Sequence, residues 1–135
     1  DELNMSYRYT VLPKGSLVIS ATFKLECSDS ELVRESMREM RKKRRDSQPL
    51  ALPNCGSVFK NPEGDFAARL IESVGLKGKQ VGKARISEVH ANFIVNEGGA
   101  SCEDVLSLMR LDQSEVKVNT GINLEPEVRL VGCCL

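Results

Sequence analysis

The segment NCGSVFKNP (residues 54–62) places a hydroxyl, an ammonium group and an amide within five residues, on Ser57, Lys60 and Asn61. The Ser57 hydroxyl could act as a nucleophile or as a proton donor. A nucleophilic serine normally needs a basic partner, and the pattern here is G-S rather than the G-x-S-x-G of a hydrolase elbow. The residues alone therefore leave Ser57 open between a chemical role and that of a structural loop serine.

The residues after Ser57 are typical of an anion-binding turn. Lys60 supplies charge, Asn61 supplies a directional amide donor, and Pro62 fixes the turn. The alternative is a solvated lysine in an ordinary turn. The neighbouring Cys55 has no histidine near it in sequence, which argues against a reactive thiol.

Three further charged clusters are candidates for binding. The basic run at residues 41–45, which ends at Arg45, is either a phosphate-binding patch or the solvated end of a helix. Arg8 lies between Tyr7 and Tyr9, where it is either a packed strand residue or a fork that meets a carboxylate. Glu125-Pro126-Glu127 (residues 125–127) places two carboxylates on one face of a strand-like segment unless the proline breaks the alternation. Both carboxylates are then solvated, or one of them is buried against Arg8.

Composition limits the function classes. The chain has 135 residues with 19 basic and 19 acidic side chains, so zero net charge argues against a general nucleic-acid binder. No apolar run reaches the roughly 18 residues of a membrane helix, and the first residues do not begin a signal peptide. Five cysteines without a C-x-x-C spacing and a single histidine, His90, make zinc improbable and indicate reduced thiols. We expect His90 to be a structural, hydrogen-bonded group.

The residue patterns predict an α+β fold, with a small mixed sheet packed against about three helices. We expect strands at residues 17–25, 91–95 and 124–131, with a short strand at residues 57–59. Helices are predicted from a Ser28 capping box to about Arg44, from an Asp65 cap over residues 66–74, and from Ser101 onward. Residues 78–85 are expected to be a surface loop, and the segment VKVNTG (116–121) fits a strand or a helix equally well.

The chain resembles the C-terminal half of the UDP-N-acetylenolpyruvoylglucosamine reductase (MurB) family. The resemblance rests on GSVFKNP, on AARLIESVGLKGKQVGKARISEVHANFIVNEGGASCEDVLSLM, on GINLEPEVRLVG and on the upstream YRYT, which stands in place of the family's Y-R-x-S. It extends from about Ser6 to Gly132, and the order and spacing of separate motifs match. The chain looks like the shorter branch of the family, which lacks an insertion in the substrate domain.

The resemblance implies an activity and a role for each matching residue. Family members use FAD, which NADPH reduces, and convert UDP-N-acetylglucosamine enolpyruvate to UDP-N-acetylmuramate, a peptidoglycan precursor. By position, Ser57 matches the proton donor, while Glu127 and Arg8 match the pair that stabilises the enolic intermediate. The substrate-binding positions are Lys60, Asn61, Tyr7 and Arg45, and the cofactor-binding positions are Arg8 and Gly56.

The chain also departs from the family pattern. Most of the FAD-binding region has no counterpart here, Thr10 replaces a serine, and Lys83 replaces a glycine. We therefore expect a fragment that binds FAD poorly, with a tail of the FAD-binding domain at 1–26, a connecting helix at 27–47 and a substrate domain at 48–135. The alternative is a non-catalytic binding module that keeps this fold. We expect no nucleic-acid or membrane partner, and a cytoplasmic location with a plastid as the lesser alternative.

Overall fold

The computed structural model describes residues 5–135, which divide near residue 38 into two compact units. In the first unit, strands β1 (Met5–Ser6) and β2 (Tyr9–Thr10) pair antiparallel and form a small hairpin. Its turn contains Arg8 with φ +57°, a left-handed conformation that is uncommon for a residue with a side chain. The chain therefore reverses at Arg8, so this residue lies in a turn and not within a strand.

The predicted strand at residues 17–25 is absent from the structure, where the segment is irregular. Its apolar side chains are largely exposed, including those of Leu17, Ile19 and Leu25. The alternating, β-branched pattern is compatible with a strand, but a strand also needs a neighbour that takes up its backbone hydrogen bonds. No described strand pairs with this segment.

Helix α1 spans Ser30–Ser47 and ends three residues later than predicted. The carboxylate of Asp29 accepts hydrogen bonds from the backbone N–H groups of Glu31 at 2.8 Å and Leu32 at 3.2 Å. Asp29, not Ser28, therefore caps the helix. Both residue types satisfy the free amides of a first turn, so the sequence could not separate two adjacent candidates.

The second unit contains α2 (Ala67–Ser73), strands β3 (Gln80–Val81), β4 (Ala84–Ile86) and β5 (Ile94–Asn96), and α3 (Cys102–Thr120). The strands form one sheet in the order β3-β4-β5. Both pairings are antiparallel, with Val81 opposite Ala84 and Arg85 opposite Val95. The α+β class and the three helices are confirmed, whereas the described strand pairs are all antiparallel rather than mixed. Residues 78–85 are thus mostly a hairpin, not the surface loop we expected.

The core lies between the two helices and the sheet. Ile71 of α2, Ile86 of β4 and Leu108 of α3 are each fully inaccessible to solvent. The turn of the β3–β4 hairpin approaches α3 closely, because a Cβ on Gly82 would lie 2.4 Å from the side chain of Asp104. Glycine is therefore required at this contact.

Helix α3 begins and ends as a capped helix should. The Ser101 hydroxyl accepts from the Asp104 N–H at 3.1 Å, and the Asp104 carboxylate accepts from the Ser101 N–H at 2.9 Å. This reciprocal capping box confirms the predicted start. At the other end, Gly121 adopts φ +75°, so the ambiguous VKVNTG segment is helical up to a left-handed glycine.

Two other predictions need correction. The Asp65 carboxylate accepts from the Phe66 N–H at 2.7 Å, one residue before α2, whereas the first helical N–H, that of Ala67, donates to the carboxamide oxygen of Asn61 at 3.1 Å. Residues 124–131 form no continuous strand, and only Pro126 bridges to Phe59. The hydrogen bonds of this bridge join Glu125 and Glu127 to Lys60 and Val58, and no regular strand extends beyond them.

Asp112 is the one buried charged residue in the described core. Its side chain is 1% exposed, one carboxyl oxygen has no hydrogen-bond partner, and burial raises its pKa to about 8. Because the folded state then binds a proton that the unfolded chain releases near pH 4, the stability from this proton is fully present below about pH 4. It is lost progressively as the pH rises to about 8.

We predict that Asp112→Asn removes this decline. The variant should gain about 1–3 kcal/mol over the unaltered chain at pH 8 relative to pH 5, because no carboxylate must be desolvated. Urea unfolding at both pH values measures the difference, and the exposed Asp46→Asn variant is the matched control. An equal pH dependence in Asp112→Asn and the unaltered chain would show that Asp112 is ionised in the fold.

Candidate functional site

Asn92 fixes the backbone that carries Ser57. Its side-chain oxygen accepts from the Phe59 N–H at 2.9 Å, and its side-chain amide donates to the Phe59 carbonyl at 2.8 Å. The Asn92 backbone carbonyl also accepts from the Val58 N–H at 2.9 Å. Asn92 is 3% exposed, and Val58 and Phe59 are 1% exposed. These three bonds are shielded from water and hold residues 57–60 in one conformation.

A second segment pairs with the same residues from the C-terminal side. The Lys60 N–H donates to the Glu125 carbonyl at 2.9 Å, and the Glu127 N–H donates to the Val58 carbonyl at 2.8 Å. The Lys60 ammonium also forms an ion pair with the Glu125 carboxylate. The structure thus brings the backbones of the predicted residues Ser57, Lys60 and Glu127 onto neighbouring segments. The ammonium of Lys60 is matched to Glu125, a pairing that the sequence did not indicate.

Ser57 lines a pocket of about 400 Å³. The half-buried serine shares this pocket with the predicted residue Asn61 and with His90 and Asn92. The outer wall is the face of α2 that carries Arg69 and Glu72. The pocket therefore combines a hydroxyl, two carboxamides, an imidazole, a guanidinium group and the carboxylate of Glu72, whose charge is offset by an ion pair with Lys77. This set suits a polar ligand.

His90 contributes a neutral ring to the pocket. Burial, assisted by the positive charge of Lys77, lowers the pKa of His90 below its ordinary value. The ring Nδ1 accepts from the Asn92 N–H at 3.3 Å, and the ring packs edge-on against Phe93 with centroids 4.8 Å apart. With Nδ1 used as an acceptor, the proton of the neutral imidazole is on Nε2. His90 thus has the structural hydrogen bond that we expected, and it also lines the pocket.

Arg69 is a pocket residue that the sequence reasoning missed. Its Nε donates to the Asp65 carboxylate at 2.6 Å, and a second nitrogen of the same guanidinium pairs with the other oxygen. The hydrogen bond from Arg69 lowers the pKa of Asp65 to about 2. The spacing of four residues between Asp65 and Arg69 could have indicated this pair, because an acid just before a helix lies close to a base in its first turn.

Gly56 allows the turn that leads into Ser57. It has φ +83°, and its N–H donates to the Asn54 side-chain oxygen at 3.0 Å. A Cβ at this position would meet no atom within 4 Å, so the space in front of it is open. Cys55, beside it, is not activated, because desolvation raises the pKa of its thiol.

The other predicted residues lie away from these contacts or in the first unit. Arg45 is exposed in the last turn of α1, with its Nε 3.9 Å from Asp46. Tyr7 and Arg8 form the turn of the β1–β2 hairpin, where the Arg8 guanidinium lies 5.7 Å from the centre of the Tyr7 ring. Their roles stay predictions.

The described residues hold no cluster of three or more histidine, cysteine, aspartate or glutamate side chains able to bind a metal ion. Among the helices of residues 5–135, none combines the length and the apolar character that crossing a membrane requires.

Comparison with known proteins identifies the family. A profile of the UDP-N-acetylenolpyruvoylglucosamine reductase C-terminal domain matches residues 48–131. The chain belongs to this reductase family. A UDP-N-acetylenolpyruvoylglucosamine reductase of Agathobacter rectalis is 46% identical over 133 residues, which are 98% of this chain and 42% of the relative. One from an Anaeromyxobacter species is 48% identical over 130 residues, or 96% of this chain and 40% of the relative.

The crystal structure of the reductase from Thermus caldophilus extends the match to three dimensions. It superposes with a TM-score of 0.81 at 41% identity, over 95% of this chain and 45% of that one. The family resemblance and the reductase-type α+β fold are thereby confirmed. The chain spans less than half the length of the curated reductases that it matches.

We predict that Asn92→Ala destabilises the second unit by about 2–4 kcal/mol, because it leaves the buried N–H and carbonyl of Phe59 without partners. The free energy of unfolding in urea measures the loss. Asn123→Ala, which alters an exposed asparagine, is the control and should stay within about 0.5 kcal/mol of the unaltered chain. Equal losses in the two variants would show that the Asn92 bonds contribute nothing to stability.

Proposed function

We propose that this chain supplies the substrate-binding part of a reductase that converts UDP-N-acetylglucosamine enolpyruvate to UDP-N-acetylmuramate, a step of peptidoglycan synthesis. The observation that carries the proposal is the placement of the Ser57 hydroxyl in a polar pocket by a buried carboxamide. Membership of the reductase family supports it, as do the reductase names of relatives that cover nearly the whole chain.

The proposed role of Ser57 is to donate a proton to carbon. Reduction of a double bond conjugated to a carboxylate leaves negative charge on the α-carbon and on the carboxylate. A hydroxyl held at that carbon can protonate it, and such positioned proton transfer contributes typically 10²–10⁴-fold in rate. This role does not require an activating base, since a donor does not have to lose its proton before the reaction.

The other pocket groups would bind and orient the anionic substrate. The Asn61 carboxamide and the Arg69 guanidinium line the same pocket and can donate hydrogen bonds to the oxygens of the substrate. Lys60 is proposed as a further contact. The ion pair between Lys60 and Glu125 is partly exposed, and exposed pairs contribute at most about 1 kcal/mol. Lys60 can therefore leave Glu125 and pair with the substrate at little cost in free energy. Glu127 and Arg8 are proposed as the pair that stabilises the enolic intermediate, and Tyr7 and Arg45 as substrate contacts.

The family implies FAD, with NADPH as reductant, and the described residues do not fit a flavin cradle. A pyrophosphate is commonly bound by the free amides of a helix N-terminus. Here the first turns of all three described helices are occupied by side chains, from Asp29 at α1, Asn61 at α2, and Ser101 with Asp104 at α3. Two of these caps are carboxylates, which repel a phosphate. The flavin chemistry is therefore not assigned to this chain, and Gly56 and Arg8 are proposed only as contacts at its edge.

We predict that the isolated chain binds FAD weakly, because side chains already accept from first-turn amides of each described helix, and the Asp29 and Asp104 carboxylates at two of these ends repel a phosphate. Titration of the chain into FAD, followed by flavin fluorescence, should show no saturation at micromolar protein. Saturable tight binding would contradict the absence of a cradle, while leaving the proposed role of Ser57 untouched.

We predict a selective defect in Ser57→Ala. The assay uses a polypeptide that joins this chain to the part of the Agathobacter rectalis reductase that the match does not cover. Stopped-flow absorbance should show flavin reduction by NADPH unchanged and flavin reoxidation by the enolpyruvyl substrate slowed by about 10²–10⁴-fold. Ser73→Ala, on the exposed side of α2, is the matched control and should reoxidise at the unaltered rate. Unchanged reoxidation in Ser57→Ala would refute the donor role.

A further inference from the structure

Two thiols meet at a place that the proposed site does not use. The sulfur atoms of Cys102 and Cys133 lie 3.8 Å apart, although the residues are 31 positions apart in the chain. Cys102 is the first residue of α3, and Cys133 lies near the end of the chain. Both are free thiols in this structure. Neither lines the pocket around Ser57.

A second contact holds the same segment against α3. The Arg110 guanidinium donates to the Cys134 carbonyl at 3.4 Å and pairs with Glu103 at 2.6 Å. Residues 133–134 thus contact α3 at two points, Cys102 and Arg110, and their arrangement does not depend on the thiol contact alone. Cys102 is exposed and Cys133 is half-buried, so a small oxidant can reach the pair.

The geometry requires only a small movement for a covalent bond. A disulfide has a sulfur–sulfur distance of about 2.05 Å, so the two atoms must approach by roughly 1.8 Å from their present 3.8 Å. A change of side-chain rotamer moves a cysteine sulfur by at least that much. We propose that Cys102 and Cys133 are a redox-sensitive pair, which low-molecular-weight disulfides convert to a disulfide that ties the end of the chain to α3.

The reaction proceeds by two exchanges. The Cys102 thiol loses its proton to solvent, and its thiolate attacks one sulfur of oxidised glutathione, which releases one glutathione thiolate and leaves a mixed disulfide. The Cys133 thiolate, formed in the same way, then attacks the Cys102 sulfur and releases the second glutathione. Two cysteine thiols are oxidised and one glutathione disulfide is reduced to two thiols.

Oxidation of the reduced pair should be faster at alkaline pH, because thiolates are the attacking species. Contact with the Cys102 thiol, together with burial, raises the pKa of Cys133, so a smaller fraction is thiolate at neutral pH.

The bond would restrict the segment that carries Glu127. The closed loop contains α3 and residues 121–132, which include the backbone pairing with Val58 and Lys60. A cross-link over such a loop stabilises the fold mainly by restricting the unfolded chain. Oxidation should therefore raise the thermal midpoint of the second unit by several degrees.

Peptide mapping of the full 135-residue chain identifies the bond directly. The chain is incubated with a defined ratio of oxidised to reduced glutathione, free thiols are alkylated, and the product is digested with trypsin. Cleavage places Cys102 in residues 86–110, Cys55 in 46–60 and Cys27 in 25–34, while Cys133 and Cys134 share residues 130–135. We expect peptide 86–110 linked to 130–135 with the loss of two hydrogens.

Variants assign the partner and decide the proposal. Cys134→Ser should keep the link and the rise in thermal midpoint, whereas Cys133→Ser should lose both, with circular dichroism confirming that each variant is folded. A link that persists in Cys133→Ser, or a chain that forms only glutathione adducts, would overturn the pairing. A bond that forms without raising the thermal midpoint would refute its proposed effect on the fold.

Discussion

The candidate site depends on one buried carboxamide. Asn92 satisfies both backbone polar groups of Phe59, and its own carbonyl holds the N–H of Val58. Inside the core, neither backbone group of Phe59 can bond to water instead. Removal of the Asn92 side chain would therefore leave both groups unpaired, at the full free-energy cost of their desolvation. The segment from Ser57 to Lys60 is therefore held in one conformation although it forms no regular strand. The backbone that carries the Ser57 hydroxyl is thus held by Asn92, a residue 35 positions further along the chain.

The same rigidity organises the rest of the pocket. The carbonyl of Val58 receives the N–H of Glu127, which joins the C-terminal segment to the residues that Asn92 holds. On the other side, Asn61 caps α2, so the motif after Ser57 also fixes the helix whose outer face carries Arg69. Residues that look like binding groups in the sequence thus have a structural function as well. A short loop segment can thus form structural contacts and also carry the proposed site residues.

Features that depend only on neighbouring residues could be predicted from the sequence. The Ser101 capping box and the Gly121 stop of α3 are determined by neighbouring residues, and the structure contains both. Elements that depend on a distant partner were predicted poorly. Residues 17–25 have a strand pattern but no described partner strand, and residues 124–131 pair only at the single bridge between Pro126 and Phe59. Ser57 and Asn61 were found from a motif, whereas Asn92 acts on residues far away in sequence and gave no local signal beyond a polar residue in an apolar run.

The central claim is that Asn92 serves the chemistry through Ser57. A double-mutant cycle on flavin reoxidation by substrate tests it most directly, in the polypeptide completed with the Agathobacter rectalis sequence and with folding checked for each variant. If Asn92 acts by placing the Ser57 hydroxyl, Asn92→Ala should slow reoxidation when Ser57 is present and should add nothing further in Ser57→Ala. Fully additive effects of the two substitutions would contradict the account.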